Sequence, residues 1–143
     1  MGDFKKLDVW HESNAYAHDI TTVTNRFAPR HRWLADQMTR AANSIPALIA
    51  EGSGLGTDRA FANRVSDAIG ETSEVESHVQ RAFDERLISE AEYEALTNGA
   101  ISIRRKLIGL RRTLRGQPRP TNPNRNRPRK PRPKPNPKPK PKA

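Results

Sequence analysis

Ser89-Glu90-Ala91-Glu92-Tyr93-Glu94-Ala95-Leu96, continued by TNGAISIRRKLIGLRRTLRG to Gly116, is the stretch whose reading decides the fold. Ser89 and Glu92 stand three apart, the spacing of a capping box in which the serine serves the third amide and the glutamate returns a bond. Tyr93, Leu96, Ala100, Ile103, Leu107, Leu110 and Leu114 follow at alternating intervals of three and four, the seam of a helix packed in a bundle. Acids open the segment (Glu90, Glu92, Glu94) and bases close it (Arg104, Arg105, Lys106, Arg111, Arg112, Arg115), the order that the helix dipole favours. Gly116 and Pro118 stop it. Ile101 and Ile108 lie one residue after seam positions and widen the apolar stripe.

Three more segments upstream carry helical periodicity, and none alternates as a strand would. One runs from about Asp8 to Phe27, with Trp10, Ala17, Ile20, Thr24 and Phe27 spaced three, four or seven apart, and stops before Pro29. The next runs from about Arg32 to Gly52, with Leu34, Met38, Ala41, Ala42, Ile45, Leu48 and Ile49 on one side, and ends in Gly52-Ser53-Gly54. Pro46 lies inside it, where it removes a backbone bond and crowds the Ala42 carbonyl; the small neighbours point to a kink tolerated by packing. The third starts near Thr57 or Asp58, both good N-caps, and is about 30 residues long, carrying Phe61, Val65, Ala68, Ile69, Thr72, Val75, Val79, Ala82 and Phe83. Four amphipathic helices with short connections predict an all-α protein, an antiparallel up-down four-helix bundle.

Charge divides the chain at Gly116. Of 26 Lys/Arg, ten lie in Gln117–Ala143, while all 16 Asp/Glu lie in Met1–Gly116, so the formal excess of +10 belongs to the tail and the body is neutral. A bundle domain over 1–116 and a tail over 117–143 are therefore expected. A body of that size buries roughly two-thirds of its unfolded surface and needs no staples. With no Cys there are no disulfides, thiolate metal sites or Cys nucleophiles. No stretch suits a signal peptide or a membrane span, so a cytoplasmic protein is expected, and Lys6 spoils a myristoylation signal.

Asp3-Phe4-Lys5-Lys6-Leu7-Asp8-Val9-Trp10 and Arg40-Ala41-Ala42-Asn43-Ser44-Ile45-Pro46-Ala47-Leu48-Ile49-Ala50-Glu51-Gly52 resemble the two signature stretches of a bacterial four-helix-bundle family encoded in intervening sequences of large-subunit ribosomal RNA genes. Leu87-Ile88-Ser89-Glu90-Ala91-Glu92-Tyr93 is similar to that family's opening of the last helix. The family in turn resembles the accessory protein of diversity-generating retroelements, a basic pentameric barrel that binds a reverse transcriptase and nucleic acid. The resemblance spans Met1–Gly116 and not the tail. It implies a homo-oligomer, a pentamer by analogy, with no enzymatic activity; no cofactor is expected. The neutral body departs from the basic relative, which leaves the tail to supply the missing charge.

The tail holds ten Pro and no aromatic residue, a composition that predicts disorder rich in polyproline II, reaching up to roughly 80 Å. Its bases are Arg119, Arg125, Arg127, Arg129, Lys130, Arg132, Lys134, Lys138, Lys140 and Lys142. Near-alternation of Lys and Pro spreads charge around a three-residue turn, which suits a diffuse polyanion: it neutralises phosphates but cannot stack bases. Sequence-independent binding of RNA or DNA is the leading expectation, with the six bases at the end of the last helix extending the surface to the tail's root. The alternatives are a protein–protein scaffold with a solubilising tail, an SH3-type partner for Pro128-Arg129-Lys130-Pro131, or an anionic membrane surface without an anchor.

Candidate chemistry elsewhere is thin. His11 and His18 stand seven apart beside Glu12, a spacing more like surface polar residues than metal ligands, and His31 and His78 have no partner in spacing. Glu71, Glu74 and Glu76 suggest a pair of acids, with Glu71 and Glu74 read as a solvated or subunit-facing edge. Glu51 suits a cap or ion pair at the Gly52 turn. Gly52-Ser53-Gly54-Leu55-Gly56 lacks the strand and the Lys of a phosphate loop.

Overall fold

A computed structural model of the chain describes residues 2–117 and 139–142. Its helices are α1 (Asp8–Thr24), α2 (Arg32–Ser53), α3 (Asp58–Asp84) and α4 (Glu90–Leu114), with single 3-10 turns at Phe4–Lys6 and Pro29–His31. There is no strand among the described residues. α1 packs on α2, α2 on α3, α3 on α4, and α4 closes back on α1. Pairs between helices record the alternation of direction. Glu12 meets Lys106 while Arg26 meets Glu92, and Glu51 meets Arg64 while Arg40 meets Glu74. The all-α antiparallel bundle expected from periodicity is the observed fold.

The ends of the helices follow local chemistry. Ser89 and Glu92 form both bonds of the capping box, at 3.1 Å and 3.0 Å. Thr57, not Asp58, caps α3 by accepting from the Ala60 amide. α4 ends in a Schellman motif: the Gln117 amide donates to the Arg112 carbonyl, the Gly116 amide to Thr113, and Gly116 takes φ +66°. α3 ends the same way through Arg86 at φ 59°, a left-handed position filled without glycine. α1 stops at Thr24 and not at Phe27; Asn25 to Ala28 turn the chain toward Pro29.

The core runs the length of the bundle through Ile20, Met38, Ile45, Ile49, Val65, Val75, Val79, Ile103 and Leu107, all fully buried. Each such side chain is worth roughly 1.5–3 kcal/mol in transfer from water. Tyr16 is buried as well and donates its hydroxyl to the Leu96 carbonyl at 2.8 Å. Burial, with the negative charges of Glu76 and Asp19, pushes its phenol far above the ordinary value, so it stays a donor. Gly99 lies against that ring: a Cβ there would sit 2.8 Å from it. Gly52 plays the matching part between α2 and α3, where a Cβ would meet the Phe61 ring at 2.6 Å.

The long signature stretch of α2 gains a physical reading. Ala41, Ala42, Ile45, Pro46 and Ile49 are buried, Arg40 reaches Glu71 and Glu74, Glu51 pairs with Arg64, and Gly52 admits Phe61. One edge of the helix therefore carries the packing against α3, with a charged pair at each end.

Candidate nucleic-acid interface

The antiparallel arrangement gathers one set of termini around the point where the chain leaves the body. The start of α1, the end of α2, the start of α3 and the end of α4 share that end of the bundle. A cleft of about 530 Å³ there is lined by Leu7, Asp8 and Val9 on one side and Lys106, Leu110 and Arg112 on the other.

The six bases of α4 expected to extend the basic surface divide into two groups. Arg104 is held by Glu76, and Lys106 by Glu12. Arg111 donates to the Ser66 hydroxyl at 3.2 Å. These three tie α4 to its neighbours. Among the described residues, Arg105, Arg112 and Arg115 have no carboxylate partner, and Arg105 and Arg115 are exposed. Arg105 and Arg112 flank Ile101 and Ile108 on the outer face of α4, where the two isoleucines are half-buried in a shallow groove of about 310 Å³. Lys140 and Lys142 are exposed. Arg119, Arg125, Arg127, Arg129, Lys130, Arg132, Lys134 and Lys138, and with them the expected disorder of the tail, lie outside the described residues.

The acids have structural partners that spacing alone did not reveal. Glu71 and Glu74 lie on a partly exposed edge and flank the Arg40 guanidinium, and Glu76 meets Arg104. Hydrogen bonding from Arg40 holds the Glu74 carboxyl below the usual range, helped by His78. Burial pushes Glu71 up, against the pull of Arg40, and its Oε2 is buried without a hydrogen-bond partner. Burial works against ionised Glu12 too, but bonds from Lys106 and Ser102 and the Lys106 charge outweigh it and hold the carboxyl below its ordinary value.

Of the histidines, His11 and His18 are exposed, as expected of surface polar residues, while His78 has a partner that spacing did not show. His78 lies 3.4 Å from Glu74 Oε1 and edge-on to the Trp33 ring, centroids 6.3 Å apart. His31 accepts from Arg30 at 3.1 Å, and His11 Nε2 lies 2.6 Å from the Lys5 carbonyl. Among the described residues no group of three or more His, Asp or Glu side chains is placed to hold a metal, and no helix is long and apolar enough to cross a membrane.

Trp33 is the surface residue that the periodicity passed over. It is 65 % exposed, one of two large hydrophobic side chains so placed among the described residues; the other is Leu55. Its signal was its register, one residue before Leu34 and off the buried face, directly after Arg30-His31-Arg32.

A family model for the 23S rRNA-intervening sequence protein matches residues 5–109. The fold is similar to a crystal structure of a protein with unknown function from the S23 ribosomal protein family of Bacteroides thetaiotaomicron. That match has a TM-score of 0.68 and 23 % identity, and it covers 73 % of this chain and 95 % of that one. No curated protein matches. The family match covers most of the bundle, from the turn before α1 to five residues before the end of α4; on that evidence the chain belongs to the 23S rRNA-intervening sequence protein family.

Proposed function

We propose that this protein is a non-enzymatic, oligomeric helical-bundle protein that binds RNA or DNA without reading sequence, mainly through its basic tail. The observation that carries the reading is the partition of charge. The bases of the body are matched in number by its acids, Arg104 and Lys106 are engaged by Glu76 and Glu12, and ten unopposed bases follow Gly116. The family's description names an intervening sequence of 23S rRNA, a link to RNA at the level of the family's name.

Self-association rests on the outer face of α4. Ile101 and Ile108 are only half-buried there and would be covered by a second copy; the resemblance to the pentameric accessory protein makes five subunits the expected number. Arg105 and Arg112 share that face, so in such an assembly phosphate binding falls to Arg115 and the tail. Several tails on one ring raise the local concentration of cations for a bound strand. A reverse transcriptase, the protein partner implied by the same resemblance, is the first partner to test.

Fluorescence anisotropy of unrelated RNA and DNA oligomers with the full chain, and with protein ending at Gly116, tests the reading. Binding should be similar across sequences and should fall at least tenfold without the tail. Equal binding by both would point instead to a scaffold whose tail only solubilises. Light scattering on the same preparations should give an oligomer; a monomer mass at micromolar concentration rules out the ring.

A further inference from the structure

We infer that Trp33 is a base-stacking point for single-stranded nucleic acid, on the end of the bundle opposite the tail's root. The inference rests on nucleic-acid binding as proposed above and names what the tail lacks, an aromatic surface. Trp33 is 65 % exposed and stands at the end of a chain of contacts. Arg40 donates to Glu74, Glu74 lies 3.4 Å from His78 Nε2, and His78 meets the indole edge-on at an interplanar angle of 85°. These contacts position His78, and an edge-on neighbour leaves most of the indole open for a base to stack on.

The charge beside it selects the partner. Arg30 and Arg32 are exposed and have no carboxylate partner among the described residues; of the acids at this end of the bundle, Glu74 is engaged by Arg40 and Glu85 by Arg81, while Asp36, a turn further along α2, and Asp84, Glu90 and Glu94, toward the α3–α4 turn, are exposed. An exposed aromatic residue with exposed arginines one and three positions before it in the chain fits a strand that offers both a π-face and phosphates. Duplex nucleic acid offers the phosphates but keeps its bases stacked inside. α3 and α4 are about 40 Å long at 1.5 Å per residue, so one strand of modest length spans Trp33 and the tail's root.

The test uses the full chain and three substitutions at one exposed position, Trp33→Ala, Trp33→Leu and Trp33→Phe. Affinity is measured for a single-stranded oligomer and for a duplex of the same length. Base–aromatic stacking is worth about 1–3 kcal/mol, so Trp33→Ala should weaken single-strand binding by about 5- to 150-fold and leave duplex binding within about twofold. Trp33→Phe should recover most of the loss and Trp33→Leu little, since leucine keeps the apolar surface but has no π-face. Unchanged single-strand affinity in Trp33→Ala overturns the inference while leaving tail-mediated binding intact, whereas no binding of either nucleic acid by the native chain overturns both. Equal recovery by Leu and Phe, or a fall in oligomer mass in Trp33→Ala, would instead identify Trp33 as an apolar protein contact.

Discussion

Single side chains set how closely the helices approach, and Gly99 is the sharpest case. The Tyr16 ring cannot swing away from a new methyl group without giving up the hydroxyl bond to the Leu96 carbonyl. Gly99→Ala is therefore expected to destabilise the bundle by about 1–3 kcal/mol, although alanine is the better helix former by about 1 kcal/mol. Urea denaturation of the two proteins measures the difference, and an alanine variant more stable than the native protein would show that the α1–α4 contact is looser than described. None of this was readable in advance. In the sequence Gly99 is one more small residue in an apolar repeat, and only the placement of Tyr16 across from it turns a poor helix former into a requirement. Trp33 and His78 were hidden for the same reason, since they lie 45 positions apart and meet across two helices.

At the scale of the helix, local rules carried much further. The capping box, the alternating seam of α4 and the glycine stop at Gly116 are written in short-range spacing, and each is present in the structure. What short-range spacing could not supply was the partner of each charge: Glu71 and Glu74 read as a solvated or subunit-facing edge, and Glu76 as one of a possible pair of acids, until α2 and α4 present Arg40 and Arg104 to them. The pH response of the bundle follows from those partners. The Ser89 amide is the main influence holding Glu92 below the ordinary 4.5, with the Ser89 hydroxyl and Arg26 adding to it against burial. Glu12 and Glu74 are lowered as well, so the three contribute stability that is present above their unfolded values and lost as pH falls through the folded ones. Glu71 is raised and acts in the opposite sense, gaining as the pH falls. The melting temperature should therefore decline as pH drops below about 4.5, and Glu92→Gln should flatten that decline. Ser89→Ala should cost about 1 kcal/mol at neutral pH through the lost cap. Thermal melts between about pH 3 and 7 check both; an unchanged pH profile in Glu92→Gln would show that its carboxyl is not held by the cap in solution.

For the whole molecule, the decisive fact is that one chain joins a charge-balanced bundle to a string of unopposed cations. Composition made that division plain, whereas the arrangement of the body's own arginines needed coordinates: some stitch helices together and others face outward. The central claim is that binding is electrostatic and centred on the tail, and its dependence on salt tests that most directly. Each phosphate neutralised on a single strand contributes about −0.7 to the slope of log K against log salt, so ten fully engaged tail cations set a limit of about −7 per tail. Not every cation need meet a phosphate at once, and the full-length protein should give a slope of about −3 to −6 per tail engaged, the same for unrelated RNA and DNA strands. A slope near zero across the salt series, with affinity retained, would contradict the account and place binding on an apolar surface of the bundle.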